Sequence, residues 1–187
     1  IMRSSDFLLE LVNDVLDMSK LESGEMQLEE VPFNLNELLH DVGALLSTQA
    51  QARGITYTTT MEDKREKHVI GSPLHLRQIF QNIGGNAIRY GRAGGYVHVT
   101  CSVVSQTEDT VRYRFTCEDN GCGMSEEFQK HMFEPFSQEN YGARTTYQGT
   151  GLGLSIVKKL VDAMGGTVTA ASEKGVGTTF ITEIPLK

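Results

Sequence analysis

NIGGNAIRY, residues 82–90, and DNGCGM, residues 119–124, are the stretches on which the reading of this chain turns. In the first, Asn82 and Asn86 are four apart, so a helix carries both amides on one face, with Arg89 one turn beyond Asn86. Amide oxygens beside a cation make a poor transition-metal site. They suit Mg²⁺, which prefers oxygen, keeps several waters and shares phosphate oxygens, while Arg89 offsets phosphate charge. In the second stretch Asp119 closes an alternating strand pattern and runs into Gly121 and Gly123. A carboxylate there accepts from an exocyclic amine, and glycines let a flat base approach the backbone. A third stretch, GTGLGL at 149–154, leads into a helix N-terminus, where free N–H groups and the dipole favour anions. It lacks the glycine spacing and the preceding strand of a dinucleotide loop, and no Walker A sequence is present. One end thus reads as base recognition, the other as phosphate binding.

Working outward, the asparagine-bearing helix opens at Ser72-Pro73, a cap followed by proline in the first turn, and carries Leu76, Ile79, Phe80, Ile83, Ala87 and Ile88. Residues 4–23 place Leu8, Leu11, Val15 and Met18 at helical spacing, widened by Phe7, Val12 and Leu16, with Ser4 or Ser5 as cap and Gly24 as stop. A stripe this wide needs a partner surface, either the chain's own domain or a helical bundle. A short alternating piece holds Met26 and Leu28 and runs to Pro32; Asn34 or Asn36 then caps a helix carrying Leu38, Leu39, Val42, Leu45 and Leu46. Strand patterns occupy 55–60, 69–70, 96–104, 111–118, 167–172 and 178–185, with a helix near 125–133. The polar stretch 137–148, with Tyr141, Gly142, Arg144 and Tyr147, reads as a mobile lid. The sum is an α/β sandwich: helices 34–53, 73–90 and 151–164 cover one face of a mixed, mainly antiparallel sheet, preceded by one long amphipathic helix. Strands and helices do not alternate strictly, which argues against a doubly wound sheet.

The 187 residues suffice for one packed domain plus an appendage. A net charge of −7, from 17 basic and 24 acidic residues, argues against a broad nucleic-acid surface. No apolar run is long enough to span a bilayer, so no membrane contact is expected of these residues. Cys101, Cys117 and Cys122 form no CxxC pair, which fits idle thiols in a reducing, cytoplasmic setting. The chain opens at Ile1 already in a helical pattern, and is expected to be a piece of something longer, with a membrane anchor upstream left open.

Taken together the motifs resemble those of the GHKL ATP-binding superfamily. NIGGNAIRY is similar to its N box, DNGCGM to the G1 box, MFEPFSQ (132–138) to the F box and GTGLGL to the G2 box. GVGTTF (175–180) resembles the closing strand motif of the histidine kinase branch. LLELVNDVLDMSKLESGEM resembles the second dimerisation helix and exit sequence of sensor kinases, especially hybrid ones. The resemblance divides the chain into residues 1–24, a partial dimerisation and phosphotransfer domain, and 25–187, a catalytic ATP-binding domain. It implies that Asn86 coordinates Mg²⁺ with support from Asn82, that Arg89 contacts phosphate and that Tyr90 packs by the nucleotide. Asp119 would accept from the adenine amine in a pocket shaped by Gly121 and Gly123, with Thr179 reaching it through water. Phe133 and Phe136 would anchor the lid, and Gly149, Thr150, Gly151, Leu152 and Gly153 would close over the phosphates.

Two departures stand out. Ser72-Pro73 after Gly71 replaces the family's Gly-Asp pairing. The phospho-acceptor histidine, followed by an acid on the first dimerisation helix, is absent: His40, His68, His75, His98 and His131 all lie in other contexts, with His40 and His75 read as helix-surface residues. The resemblance implies a protein-histidine kinase of a two-component phosphorelay, present as a fragment that does not autophosphorylate alone. The γ-phosphate of ATP would pass to a histidine on a helix this chain lacks, for relay to a response-regulator receiver domain. The full-length protein would be a homodimer. No catalytic residue is assigned. The alternatives are a nucleotide-binding regulatory module and a GHKL ATP hydrolase; the hydrolases use an N-box carboxylate, where this chain has Gln81 and Asn82.

Overall fold

The computed structural model describes residues 2–24, 26–62, 68–139 and 149–187, with the backbone alone for residues 2–7 and 10. In chain order the elements are α1 (Met2–Glu22), β1 (Val31–Asn34), α2 (Leu35–Gln51), β2 (Thr56–Met61), β3 (His68–Gly71), α3 (Pro73–Arg89), β4 (Tyr96–Gln106), β5 (Val111–Asp119), α4 (Glu126–Gln129), α5 (Gly153–Ala163), β6 (Thr167–Glu173) and β7 (Gly177–Leu186). Tyr141, Gly142, Arg144 and Tyr147, and most of the stretch read as a lid, lie outside the described residues.

Five strands form one sheet in the order β2-β4-β5-β7-β6, and β1 pairs with β3 in a separate two-stranded sheet. Only β2–β4 is parallel; the other three pairings are antiparallel, as the expected mixed sheet requires. Period-two alternation decides which face is covered. Tyr113, Phe115, Cys117 and Asp119 on β5, and Thr178, Phe180, Thr182, Ile184 and Leu186 on β7, are buried. The intervening Arg114 and Glu183 face the other way, joined by an ion pair at 2.6 Å. Onto the buried face pack α2, α3 and α5, through Leu38, Leu39, Val42 and Leu46, through Leu76, Ile79 and Ile83, and through Ile156, Val157 and Leu160. Each such side chain removed from water contributes about 1.5–3 kcal/mol, so this layer dominates stability. Asp119 and Thr178 sit at the edge of that layer, which places a carboxylate and a hydroxyl between sheet and helices.

The α1 helix shows two faces. Met18 is buried at 7% exposure and Leu21 packs on the core, while Leu8, Leu9, Val12, Val15 and Leu16 stay between 45% and 62% exposed. Polar contacts tie the inner face down: Gln78 Nε2 donates to Asp17 Oδ2 at 2.7 Å, and Lys159 Nζ pairs with Glu22 at 3.0 Å.

Several local expectations are corrected. The α1 helix already runs from Met2, so neither Ser4 nor Ser5 caps it. In the alternating piece before β1, Met26 and Leu28 are half-buried, and strand pairing with β3 begins only at Val31 and runs to Asn34. The helix near 125–133 shrinks to the single turn α4, followed by turns through 136. Asn34 rather than Asn36 caps α2, its Oδ1 accepting from the N–H groups of Asn36 and Glu37. Ser72 stands at the N-cap of α3, but its hydroxyl bonds His75 Nδ1 at 2.6 Å instead of the backbone. His75 is therefore not a surface residue; it is 8% exposed, on the same helical stripe as Ile79 and Ile83.

Candidate functional site

A cavity of about 280 Å³ opens between α3, the ends of β5 and β7, the α4 region and the entry to α5. Of the residues singled out from sequence, Asn82, Asn86, Arg89, Tyr90, Asp119, Gly149, Thr150, Gly151 and Gly153 all line it. Residues more than sixty positions apart are thus brought to one space.

At one end Asp119, 8% exposed, lies among Met124, Phe128, Met132, Thr178 and Phe180. Its Oδ1 accepts from Gly121 N–H at 2.8 Å. Burial pushes this carboxyl up to about 6; the backbone N–H groups of Gly121 and Thr178 and the charge of Arg92 oppose the rise, and Glu118 adds to it. A buried carboxylate is costly unless donors meet it, and a ligand amine would add one to the backbone N–H groups already there. The apolar walls around the Asp119 acceptor fit a flat ring bearing an amine.

At the other end α3 faces the entry to α5. A Cβ built on Gly149 would lie 2.8 Å from Arg89 Nη1, and one built on Gly153 would lie 3.2 Å from Asn82 Oδ1. The guanidinium and the amide thus reach the strip of backbone leading into α5. Leu152 stands at the N-cap of that helix and offers its first turn no side-chain hydrogen bond. Thr150 Oγ1 accepts from Leu152 N–H at 3.2 Å and donates to Asp14 Oδ2, on α1, at 2.6 Å. Gln138 Nε2 donates to the Gly149 carbonyl at 2.6 Å, joining the two described ends around residues 140–148. A helix N-terminus flanked by Arg89 attracts anions. Asn86 lines the same wall of α3 one turn from Asn82.

Six of the residues singled out lie off the cavity wall. At Gly121 and Gly123 the space that a Cβ would need is filled by other backbone. A Cβ at Gly121 would meet the Tyr90 carbonyl at 2.6 Å, and one at Gly123, where φ is +63°, would meet the Glu173 carbonyl at 1.9 Å. They shape the pocket by letting the loop pack down. Leu152 is fully buried in the core, and Phe133 packs against it. Phe136 is 65% exposed with a left-handed φ of 62°. Thr179 falls on the opposite face of β7; Thr178, paired with Asp119 across the strands, lines the cavity in its place.

Other wall residues escaped the sequence reading. Asp14, Met124, Phe128, Gln138 and Glu139 line the cavity, Asp14 from 136 positions away from its Thr150 partner. Arg92, just outside, donates to the carbonyls of Gly121 and Gly175 at 2.6 and 2.9 Å and ties the loop after β5 to the β6–β7 turn.

Comparison with known proteins agrees with this geometry. Residues 71–187 match the family described as histidine kinase-, DNA gyrase B-, and HSP90-like ATPase. The chain is 36% identical over 186 residues to the sensory/regulatory protein RpfC of Xanthomonas campestris pv. campestris, covering 100% of this chain and 26% of that protein. It is 38% identical over 179 residues to the signal transduction histidine-protein kinase BarA of Escherichia coli, covering 95% and 19%. Full-length ShkA, solved in complex with AMPPNP, superposes with a TM-score of 0.83 at 34% identity over 98% of this chain and 37% of that one. Histidine kinase ThkA, solved with the response regulator protein TrrA, gives 0.73 at 25% identity over 100% and 49%. The chain spans about a quarter of RpfC and a fifth of BarA. Fold, site and sequence together place this chain in the histidine kinase-, DNA gyrase B- and HSP90-like ATPase family. Within that family it is a GHKL-type histidine kinase ATPase domain. No helix among the described residues is long and apolar enough to cross a membrane.

Proposed function

We propose that this chain binds Mg–ATP in the cavity and transfers the γ-phosphate to a histidine carried on a dimerisation helix outside these residues, for relay to an aspartate of a response-regulator receiver domain. The observation that carries the reading is the polarity of one cavity: the buried Asp119 carboxylate with Met124, Phe128, Met132 and Phe180 at one end, and Asn82 and Arg89 facing the entry to α5 at the other. Residues 1–24 would be the second helix of the dimerisation domain and 25–187 the catalytic domain. The exposed stripe of Leu8, Val12 and Val15 on α1 suits pairing with a bundle in a homodimer. The nucleotide held by ShkA and the regulator held by ThkA support the same reading.

Asp119 accepts from the amine of the base, and Phe128, Met124 and Met132 cover its ring. Asn82, Arg89 and the N–H groups at the start of α5 hold the phosphates. A magnesium ion would supply charge neutralisation there, held by the Asn86 amide oxygen with Asn82 beside it. Among the described residues no three His, Cys, Asp or Glu side chains converge, which suits an ion that takes its other ligands from water and phosphate. The imidazole of the acceptor attacks the γ-phosphorus in line, and ADP leaves. Holding that geometry and offsetting its charge are what these residues contribute.

The test mixes the chain with Mg–ATP and a separate protein carrying a competent acceptor helix. Acid-labile, base-stable phosphate on the acceptor histidine is the expected outcome, and Asn86→Ala should remove it. ATP binding without transfer would leave a regulatory module, and phosphate release without transfer a hydrolase; either result ends the kinase reading.

A further inference from the structure

Glu139 is the last residue described before 140, and its side chain is only 8% exposed. One carboxylate oxygen, Oε2, accepts both the N–H and the hydroxyl of Ser125, each at 3.0 Å. The other, Oε1, accepts from Lys174 Nζ at 3.2 Å, on the β6–β7 turn. Burial alone would raise this carboxyl, but the bonds from Ser125 and Lys174 outweigh it and hold the group below the usual carboxylate range. The charge is kept inside because three donors meet it.

Those donors matter because of what Ser125 does next. With its proton committed to Glu139, its hydroxyl turns a lone pair to Phe128 N–H at 3.2 Å and caps α4. A helix of four residues cannot hold itself, since nucleation costs more than one turn returns. Its far end is fastened too: Gln129 Nε2 donates to the carbonyls of Met124 and Ser172 at 3.2 and 3.0 Å. Phe128 lies between these fastenings, with Met124 just before and Met132 just after them, and all three line the cavity with Asp119. Methionines adapt their shape to whatever faces them, so the wall takes its position from the frame around it.

We infer that Glu139 is a positioning residue for base recognition: by holding Ser125 it fixes the Met124–Phe128–Met132 wall against which the ring of the nucleotide lies. This rests on the cavity being a nucleotide site. The effect is confined to the base end, because Glu139 bonds nothing at the entry to α5 in the contacts described above.

Calorimetric titration of the 187-residue chain with adenosine, Mg–ATP and tripolyphosphate separates the possibilities. Glu139→Ala should weaken adenosine and Mg–ATP by one common factor, on the order of tenfold, and leave tripolyphosphate unchanged. Glu139→Gln keeps an acceptor oxygen for Ser125 and should stay within about threefold of the parent. Ser125→Ala provides a second route and should repeat the base-specific loss, with far-UV circular dichroism confirming the fold of each variant. The inference is overturned if folded Glu139→Ala binds adenosine within about twofold of the parent, if the loss extends equally to tripolyphosphate, or if Glu139→Gln is as weak as Glu139→Ala. Failure of the parent chain to bind adenosine or Mg–ATP at all would overturn the nucleotide reading, and this inference with it.

Discussion

The two ends of the cavity are built on different principles. The base end is assembled from β5, β7 and α4 of one domain, and its chemistry is concentrated in Asp119. The phosphate end spreads its chemistry over an amide wall, a guanidinium, backbone N–H groups and one residue, Asp14, from α1. Recognition concentrated in one ligand-facing carboxylate fails almost completely when that group is lost. Distributed recognition at a wetter end degrades by steps.

The largest effect follows at Asp119. Asp119→Ala should raise the dissociation constant for ATP by at least about a hundredfold, read by calorimetry or a fluorescent nucleotide. The pH dependence has a definite sign. This carboxyl sits near 6 in the folded chain against an ordinary 3.8, so between those values the folded state binds more protons than the unfolded one. Stability of the ligand-free chain should fall as pH rises through that window, by on the order of 2–3 kcal/mol from this group. Asp119→Ala should lack that slope in a series of thermal melts. Nucleotide needs the ionised form, so its affinity should weaken below about pH 6 and binding there should release protons. A flat affinity from pH 5 to 7 would break the assignment of Asp119 as the acceptor.

Arg89→Ala should cost about tenfold in Mg–ATP affinity and flatten its salt dependence, while adenosine binds as before. An equal loss for adenosine would erase the division between the ends. Asp14→Asn carries the smallest effect. Removing a negative charge from the phosphate end should tighten Mg–ATP by about threefold, while weakening the Thr150 link costs under about 1 kcal/mol of thermal stability. If Mg–ATP weakens instead, Asp14 contributes to holding the ligand.

This division also explains what could be read from the sequence. Asn82, Asn86 and Arg89 share one helical face, and Gly149 to Gly153 precede a helix, so local spacing placed them. Thr178 was legible by parity: counting back in twos from Leu186 and Ile184 reaches Thr182, Phe180 and Thr178, and leaves Thr179 on the open face. His75 stood on the stripe of Ile79 and Ile83 in the same way, its polar ring masking a core position. Asp14 and Glu139 were not legible. Their partners, Thr150 and Ser125 with Lys174, are brought to them by the packing of α1 and of the β6–β7 turn, which no local pattern records. Glycines 121 and 123 were recognisable as necessary, but whether ligand or backbone fills the space above them is a property of the fold.

The bond from Gln138 to the Gly149 carbonyl bears on how this domain tolerates change. It closes a ring in the chain at the mouth of the pocket, fastening the described residues on either side of 140–148 to each other. Lengthening a closed loop costs little, about 0.6 kcal/mol for each doubling. Added chain length between Glu139 and Gly149 should therefore cost little, whereas Glu139 and Gly149 themselves are held by Ser125, Lys174 and Gln138.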